Sequence, residues 1–277
     1  MTTSDTDPAY PLGSTDAEHD RLIRQAAQFA PFTERFFREA GIGRGQRILE
    51  LGSGVGDVTM LVAQLVGSTG EVIGIERDRR SIELARARVV GAGLRNVSFV
   101  QSDVRAIAGN ELFDAALGRF ILAFLPDPVD VLISLSSRIR PGGVFAFQEP
   151  SYAPLLGYTA HLPLCSAAVS LIRDTLEATG VNTEMGPALY AVFQRAGLPA
   201  PSLRMEIPIG NDPEFTRWIF DVLCSLRGQA LQPAYERLGD FATLHERLRA
   251  EVVTSNTVIT SQGLVGVWSR KPAQSQS

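Results

Sequence analysis

Two glutamates and a group of glycines in the first third of the chain have the types and spacing of a nucleotide-type pocket. The stretch ILELGSGVG at 48–56 joins an apolar run, Glu50 and three glycines at alternate positions, and the apolar run VIGIE at 72–76 ends in Glu76. Glycines allow a tight turn and a close approach of the backbone to a ligand. A carboxylate at the end of the second strand can accept both hydroxyl protons of a ribose. The residues therefore predict a pocket that contains two acids.

The glycine loop disfavours one nucleotide class and favours another. A dinucleotide-binding loop needs glycine at its first, third and sixth positions, so that a pyrophosphate can lie against the helix N-terminus. The sixth position here is Asp57, and Glu50 adds a second negative charge. Repulsion between these acids and a pyrophosphate would be costly in a partly dry cleft. A cationic ligand without phosphate suits the loop better, and S-adenosylmethionine, with its sulfonium and ammonium groups, fits this description.

The elements that must position these residues follow from the alternation of strand and helix periods. Alternating βα units imply a parallel sheet with right-handed crossovers and a ligand at the carboxyl edge of the strands. Two later apolar runs, 202–209 and 262–270, predict a sixth and a seventh strand. In the first part, the periods predict strands at 47–51, 71–76, 97–103, 113–120 and 143–149 and helices at 58–67, 81–93 and 127–139.

Four motifs make the chain similar to the class I S-adenosylmethionine-dependent methyltransferases. Each motif is weak alone, but their order and spacing together are specific. The segments 10–25 and 264–272 also resemble a bacterial subgroup of these enzymes that acts on small molecules. The four motifs are ELGSGVG at 50–56, GIERD at 74–78, FVQSDV at 99–104 and RPGG at 140–143.

The resemblance implies a fold and a set of cofactor-binding residues. The fold is α/β, with a Rossmann-like, seven-stranded, mostly parallel sheet and helices on both faces. Asp103 would accept a hydrogen bond from the adenine amino group, with a helix N-cap as the alternative role. Arg119 faces the cleft by its position, with a surface arginine as the alternative. The expected cofactor-binding residues are Tyr10, Glu50, Gly52, Ser53, Gly54, Glu76, Arg77, Asp103, Val104 and Arg119.

The rest of the chain is more helical than the sheet requires. Residues 1–40 are expected to form an N-terminal helical segment, interrupted near Pro31. Residues 41–277 then form the methyltransferase domain. Within it, the helical stretches inside 151–182 and 213–250 are candidate lids over an acceptor pocket.

Methyl transfer sets few requirements on side chains beyond positioning. It is an in-line displacement, in which holding the acceptor roughly 3 Å away and excluding water supply much of the rate. An oxygen or carbon acceptor usually loses a proton, so a base helps. His161, at the start of a predicted helix over 160–180, is the best histidine candidate, with a packing or exposed histidine as the alternative. Glu149, at the end of the fifth strand, and Glu184 are the carboxylate candidates.

Two features of the sequence narrow the class of acceptor: a motif missing at the end of the fourth strand and the apolar composition of the candidate lids. The exit LGRF at 117–120 has no Asn-Pro-Pro-Tyr or Asp-Pro-Pro-Tyr, the motif of amino-directed nucleic-acid methyltransferases. The lid segments are rich in Leu, Ile, Phe, Trp and Tyr. These features favour an apolar or aromatic small molecule methylated on oxygen or carbon. Two alternatives stay open: an enzyme that binds S-adenosylmethionine without transferring methyl, and a nicotinamide oxidoreductase, which Asp57 and Glu50 disfavour.

Composition and charge agree with an ordinary enzyme of one large α/β domain. The chain has 277 residues, 45% of them hydrophobic, and a net charge of −4, which offers no basic face for nucleic acid. Cys165 and Cys224 stand far apart without metal-ligand spacing, so we expect reduced thiols and no metal site. No apolar run reaches the ~18 residues of a membrane span, and the polar start is not a signal peptide. We therefore expect a cytoplasmic protein without membrane or nucleic-acid partners. A homodimer is one candidate for its oligomeric state.

Overall fold

Strands and helices alternate along the part of the chain that the computed structural model describes, residues 11–107, 109–228 and 235–273. Tyr10, one of the expected cofactor-binding residues, lies outside this part. The strands are β1 Arg47–Leu51, β2 Glu71–Glu76, β3 Val97–Gln101, β4 Phe113–Arg119, β5 Ile139–Ser151, β6 Ser202–Glu206, β7 Ile209–Gly210, β8 Ile259–Thr260 and β9 Gly263–Arg270. The helices are α1 Asp16–Glu39, α2 Asp57–Val66, α3 Arg79–Gly91, α4 Pro128–Ser136, α5 Ala153–Thr159, α6 Pro163–Ala178, α7 Met185–Arg195, α8 Arg217–Leu226 and α9 Leu244–Thr254.

The large sheet has seven strands in the order β3-β2-β1-β4-β5-β9-β6. The first five run parallel, and β9 lies antiparallel between β5 and β6. Strands β7 and β8 pair separately. The predicted seven-stranded, mostly parallel, Rossmann-like sheet is confirmed. Because β1 to β5 are parallel, the loops after them meet at one edge of the sheet, where Glu50 and Glu76 end up near each other.

Alternate residues of the central strands bury their side chains on opposite faces of the sheet. On one face, Ile48, Leu117 and Val144 pack with α2 and with the phenylalanines near the end of α1. On the other face, Leu49 and Phe145 pack with residues of α4, α6 and α7. This alternation is the period of two that a strand imposes. Both faces are therefore covered by helices, as predicted.

Two helical expectations were wrong in detail. Helix α1 continues through Pro31 without a break, because the buried residues Phe29, Thr33 and Phe36 hold its flanks and offset a cost of roughly 3 kcal/mol for an interior proline. The single helix expected over 160–180 is instead two helices, α5 and α6. Pro163 is the first residue of α6, a position that suits proline, and it sets a new helix start.

Three helices, α1, α6 and α8, are called the cover helices below. Helix α8 packs against both α1 and α6. Within the described ranges, no helix has the length and apolar character needed to cross a membrane.

Candidate functional site

A cavity of about 270 Å³ lies at the carboxyl ends of the parallel strands, beneath the cover helices. The loops after β1, β2, β3 and β4 form its floor, and α1 and α8 contribute to its wall. Every expected cofactor-binding residue within the described ranges lines this cavity. These residues are Glu50, Gly52, Ser53, Gly54, Glu76, Arg77, Asp103, Val104 and Arg119.

The loop after β1 needs glycine for two different reasons. Gly52 has a φ of 64°, and a Cβ there would lie 2.6 Å from the side chain of Ile121. Gly54 has a φ of 51°, but a Cβ there would meet no protein atom within 4 Å. Gly52 is therefore required by packing within the protein, because any side chain there would collide with Ile121. Gly54 leaves its backbone open to the cavity, as close contact with a ligand requires.

Glu76 is held at the end of β2 by three backbone amides. Its carboxylate accepts hydrogen bonds from the N–H groups of Gly54 at 2.9 Å, Arg77 at 2.8 Å and Asp78 at 2.9 Å. These bonds tie the glycine loop to the loop after β2. The carboxylate is therefore fixed in the cavity wall before any ligand binds.

Glu50 is a buried acid, with 2% of its surface exposed. Burial raises the pKa of Glu50 to about 8, although a hydrogen bond from the Thr59 hydroxyl and the charge of Arg119 oppose the shift. The nearby Asp57 is paired with Arg88 at 2.6 Å. Unlike Asp57, Glu50 has no ion-pair partner at this distance within the described part of the chain, so a bound cation would stabilise the charged form of Glu50.

Asp103 opens a turn and does not cap a helix. Its carboxylate accepts from the backbone N–H of Arg105 at 2.7 Å and pairs with the Arg105 guanidinium at 2.6 Å. These contacts lower the pKa of Asp103. Within the described residues after Asp103, up to 107, no helix begins, so the N-cap alternative does not hold.

Arg119 is half-buried inside the protein and is not a surface arginine. Its guanidinium donates to the Thr33 hydroxyl at 3.0 Å and lies about 6 Å from the ring centroids of Phe29 and Phe120. Desolvation lowers its pKa, and the charges of Asp57 and Glu50 oppose that shift. Phe120 has a φ of 54°, in the left-handed region that costs energy for a non-glycine residue. Such strain is often found at functional sites.

The candidate bases His161, Glu149 and Glu184 do not line the cavity. His161 is exposed in the turn between α5 and α6, with its Nε2 3.2 Å from the Thr257 hydroxyl. Glu184 accepts from Ser151 and from the first backbone amides of the α5 segment. Among residues 11–107, 109–228 and 235–273, no group of three His, Cys, Asp or Glu side chains is arranged to hold a metal ion.

Glu149 is completely buried and supports the turn after β4. Its carboxylate accepts from the backbone N–H groups of Ile121 at 3.0 Å, Leu122 at 2.9 Å and Ala123 at 3.2 Å. Burial raises the pKa of Glu149 to about 7, against the effect of these three bonds. Since Ile121 lines the cavity, Glu149 positions part of its wall from behind.

We expect Glu149→Ala to lower the free energy of unfolding by about 3 kcal/mol or more, because the buried N–H groups of Leu122 and Ala123 and the partly buried N–H of Ile121 lose their acceptor. Urea unfolding measures this change. Glu206→Ala is the matched control, since Glu206 also ends a strand but forms an ion pair with the exposed Arg35. That control is expected to cost less than about 1 kcal/mol. Equal effects of the two substitutions would contradict the supporting role of Glu149.

Several cavity residues were missed or underrated by the sequence interpretation. His19 is buried in the wall, with its Nε2 3.1 Å from the Ser81 hydroxyl, and Tyr152, Trp218 and Gln262 also line the cavity. They come from distant segments of the chain and meet only through tertiary packing. A local motif therefore could not have identified them. Trp218 lies within the candidate lid segment 213–250, for which the sequence predicts only an apolar lining.

Comparisons with known proteins agree with this geometry. A family model described as a methyltransferase domain matches residues 42–196, more than half of the chain. The ubiquinone/menaquinone biosynthesis C-methyltransferase UbiE of Erwinia tasmaniensis is 32% identical over 121 residues, 42% of this chain and 48% of that protein. The protein of the same name from Escherichia coli O139:H28 is 30% identical over 171 residues, 57% of this chain and 68% of that protein. The chain thus spans about half the length of relatives such as the Erwinia protein.

Solved structures show the same fold. The YcgJ protein of Bacillus subtilis superposes with a TM-score of 0.58 over 87% of this chain and 98% of that chain, at 15% identity. At this identity, the likeness concerns the fold alone. Together with the family match, it confirms the resemblance drawn from the four motifs. The chain belongs to the family of methyltransferase domains and has the class I fold of the S-adenosylmethionine-dependent methyltransferases.

Proposed function

We propose that this protein transfers a methyl group from S-adenosylmethionine to an oxygen or carbon of an apolar or aromatic small molecule. One observation carries the proposal. In one cavity, acids and an open glycine turn follow β1, β2 and β3 and form one end, whereas mainly apolar side chains that follow β4 and β5 or belong to α6 and α8 form the other. The acids suit a cationic, phosphate-free nucleoside, and the apolar end suits an uncharged acceptor.

The residues at the acidic end fit S-adenosylmethionine. Glu76 would hold the ribose hydroxyls, Glu50 the ammonium group and Asp103 the adenine amino group. The backbone at Gly54 has room for the close approach of the ligand. The hydroxyl of Ser53 is buried beside the cavity without a hydrogen-bond partner among the described residues, and a polar ligand would supply one.

Positioning, rather than a base, provides most of the acceleration in this proposal. When bound, S-adenosylmethionine supplies a methyl group made electrophilic by the sulfonium charge. The cover helices hold the acceptor beside the cofactor and exclude water, which prevents side reactions. His161 and Glu149 lie outside the cavity lining, so we assign neither of them proton removal. Arg119 and Phe120, at the exit of β4, border the space between the two ends.

The acceptor end supports an apolar or aromatic substrate. The UbiE relatives are named as C-methyltransferases of quinone biosynthesis, which favours carbon over nitrogen as the methylated atom. The side chains at this end are mainly apolar or aromatic. They include Phe124, Leu125, Tyr152, Leu176, Val181, Trp218 and Val222.

Binding of the cofactor is expected to release a proton from Glu50. With a pKa of about 8 in the free protein, Glu50 is roughly nine tenths protonated at pH 7, and the bound cation requires the carboxylate. Affinity should therefore rise with pH, by up to about tenfold per unit below pH 8. Conversely, because the folded-state pKa exceeds the ordinary 4.5, the free protein loses stability as the pH rises from 4.5 to about 8.

Calorimetry at pH 7, in two buffers of different ionisation enthalpy, measures this release. Wild type is expected to release close to one proton when S-adenosylhomocysteine binds. Glu50→Gln should bind more weakly and release none. Binding by wild type without proton release would mean that Glu50 does not meet the cation.

The proposed reaction is tested with S-adenosylmethionine labelled in its methyl group and a panel of phenols, enols and aromatic metabolites. We expect S-adenosylhomocysteine and a labelled product in equal amounts for at least one acceptor. Cofactor binding without consumption by any acceptor would favour an enzyme that uses S-adenosylmethionine without transferring methyl. The labelled product also identifies the methylated atom.

The cytoplasmic location, the lack of a nucleic-acid partner and the homodimer remain proposals from the sequence. Light scattering on the purified protein tests the homodimer: a mass near twice that of one chain, which is 30.0 kDa, would support it.

A further inference from the structure

A second cavity of about 260 Å³ adjoins the first between α1 and α8. The two cavities share four wall residues, Arg21, Gln25, Trp218 and Gln262. Gln262 directly precedes β9, whose Gly263 pairs with Ser151 at the carboxyl end of β5, so the shared wall lies on the β5 side of the sheet and borders the acceptor end. A ligand there could reach both cavities.

The shared wall contains polar atoms that the protein itself does not satisfy. Among the described residues, the indole N–H of Trp218 and the Oε1 of Gln262 are buried without a hydrogen-bond partner. Gln28 lines the second cavity, and its Nε2 is also buried without a hydrogen-bond partner among the described residues. Buried polar groups are nearly always paired, so such a cluster at a cavity points to a ligand that pairs them.

The two shared-wall groups are held by ordered elements. Trp218 lies in the first turn of α8. In the turn before it, the Thr216 hydroxyl donates a hydrogen bond of 2.8 Å to the carbonyl of Pro213. Gln262 is only 5% exposed and directly precedes β9, and the N–H of the adjacent Ser261 donates to Pro208 at 3.0 Å. Groups with such support present a fixed donor and acceptor to a ligand.

The charges around the second cavity are already paired. Arg21 pairs with Glu18 at 2.7 Å, and Arg24 pairs with Asp221 at 2.9 Å. Glu214 likewise pairs with Arg249 at 2.9 Å. An ionic ligand would compete with these pairs, whereas a neutral polar ligand would not.

We propose that Trp218 and Gln262 determine acceptor specificity by binding a neutral, hydroxylated aromatic molecule. A hydroxyl oxygen of the acceptor accepts from the Trp218 indole N–H, and a hydroxyl group donates to Gln262 Oε1. The remainder of a longer acceptor extends into the second cavity. This inference rests on the proposed function and narrows its substrate class.

The test compares 1-naphthol with 1-methylnaphthalene, which replaces the hydroxyl by a methyl of similar size. Calorimetry is done on the full-length protein, both alone and saturated with S-adenosylhomocysteine. Wild type is expected to bind 1-naphthol about tenfold more tightly, since the wall groups are left unpaired by the methyl analogue. Trp218→Phe, which keeps a ring but removes the N–H, should reduce this preference to within about twofold while leaving the affinity for 1-methylnaphthalene unchanged.

Two further variants complete the design. Gln262→Leu should also reduce the preference, and it carries the test if Trp218→Phe fails to fold. Trp268→Phe is the matched control, because Trp268 packs against Phe36 at 5.9 Å on the other face of the sheet, and it should keep the wild-type preference.

The outcomes separate this inference from the proposed function. Failure of wild type to bind S-adenosylhomocysteine contradicts the proposed function. If wild type binds S-adenosylhomocysteine normally, the proposed function stands and three results overturn only the present inference. These results are no binding of 1-naphthol, no preference for 1-naphthol over 1-methylnaphthalene, and a preference that survives both wall substitutions.

Discussion

Gly54→Val is expected to weaken the binding of S-adenosylmethionine by roughly a hundredfold or more, about 2.7 kcal/mol, while the protein stays folded. The backbone at Gly54 borders the cavity, and a Cβ added there would have no protein atom within 4 Å, so the valine side chain would occupy ligand space. Calorimetry gives the affinity, and thermal unfolding reports whether the fold is kept.

Gly93→Val is the control for backbone strain. Gly93 follows α3, has a φ of 69° and, like Gly54, has no atom within 4 Å of a Cβ, but it does not line the cavity. Both substitutions place valine in the left-handed region, at a cost of roughly 1–2 kcal/mol each. If both variants lose a similar amount of stability but only Gly54→Val loses cofactor binding, the loss of binding is due to the ligand site and not to backbone strain. Unimpaired binding by Gly54→Val would mean that the loop does not contact the cofactor.

Glu76→Ala is expected to produce the second large effect, a loss of cofactor affinity of roughly a hundredfold. The substitution removes the acceptor proposed for the ribose hydroxyls and frees the loop amides of Gly54, Arg77 and Asp78. The protein should stay folded, because these amides border the open cavity, where water can replace the carboxylate. The same calorimetric titration measures the loss.

Glu71→Ala is the matched control at the other end of the same strand. Glu71 pairs with Arg47 at 2.7 Å in a partly exposed position at the first residue of β2, at the opposite end of the strand from the carboxyl edge. It should bind S-adenosylmethionine like wild type and change stability by less than about 1 kcal/mol. Tight binding by Glu76→Ala would remove Glu76 from the ribose site.

The sheet was predictable from the sequence because its strands are short, buried and separated by regular helices. The runs at 47–51, 71–76 and 113–120 match β1, β2 and β4 within one residue. In a parallel sheet, right-handed crossovers leave few alternative strand orders. The spacing of the motifs then predicted that Glu50, Glu76 and Asp103 lie together at the carboxyl edge of the sheet. Local periodicity and one topological rule were sufficient for this half of the site.

The acceptor end was not predictable by the same means. His161 was favoured as the start of a helix, but Pro163 begins α6 two residues later and leaves His161 in an exposed turn. The burial of Arg119 depends on Thr33, 86 positions away in α1. Trp218 and Gln262 meet only when α8 and the start of β9 pack beside α1. Such contacts are set by tertiary packing, which leaves no signal in local spacing.

The central claim is that the acid-flanked cavity binds S-adenosylmethionine. Calorimetric titration of the purified wild-type protein with S-adenosylmethionine and with S-adenosylhomocysteine tests it most directly. We predict saturable, one-site binding of both, with proton release at pH 7. The absence of binding heat for both ligands at several temperatures, from a folded protein, would contradict the account.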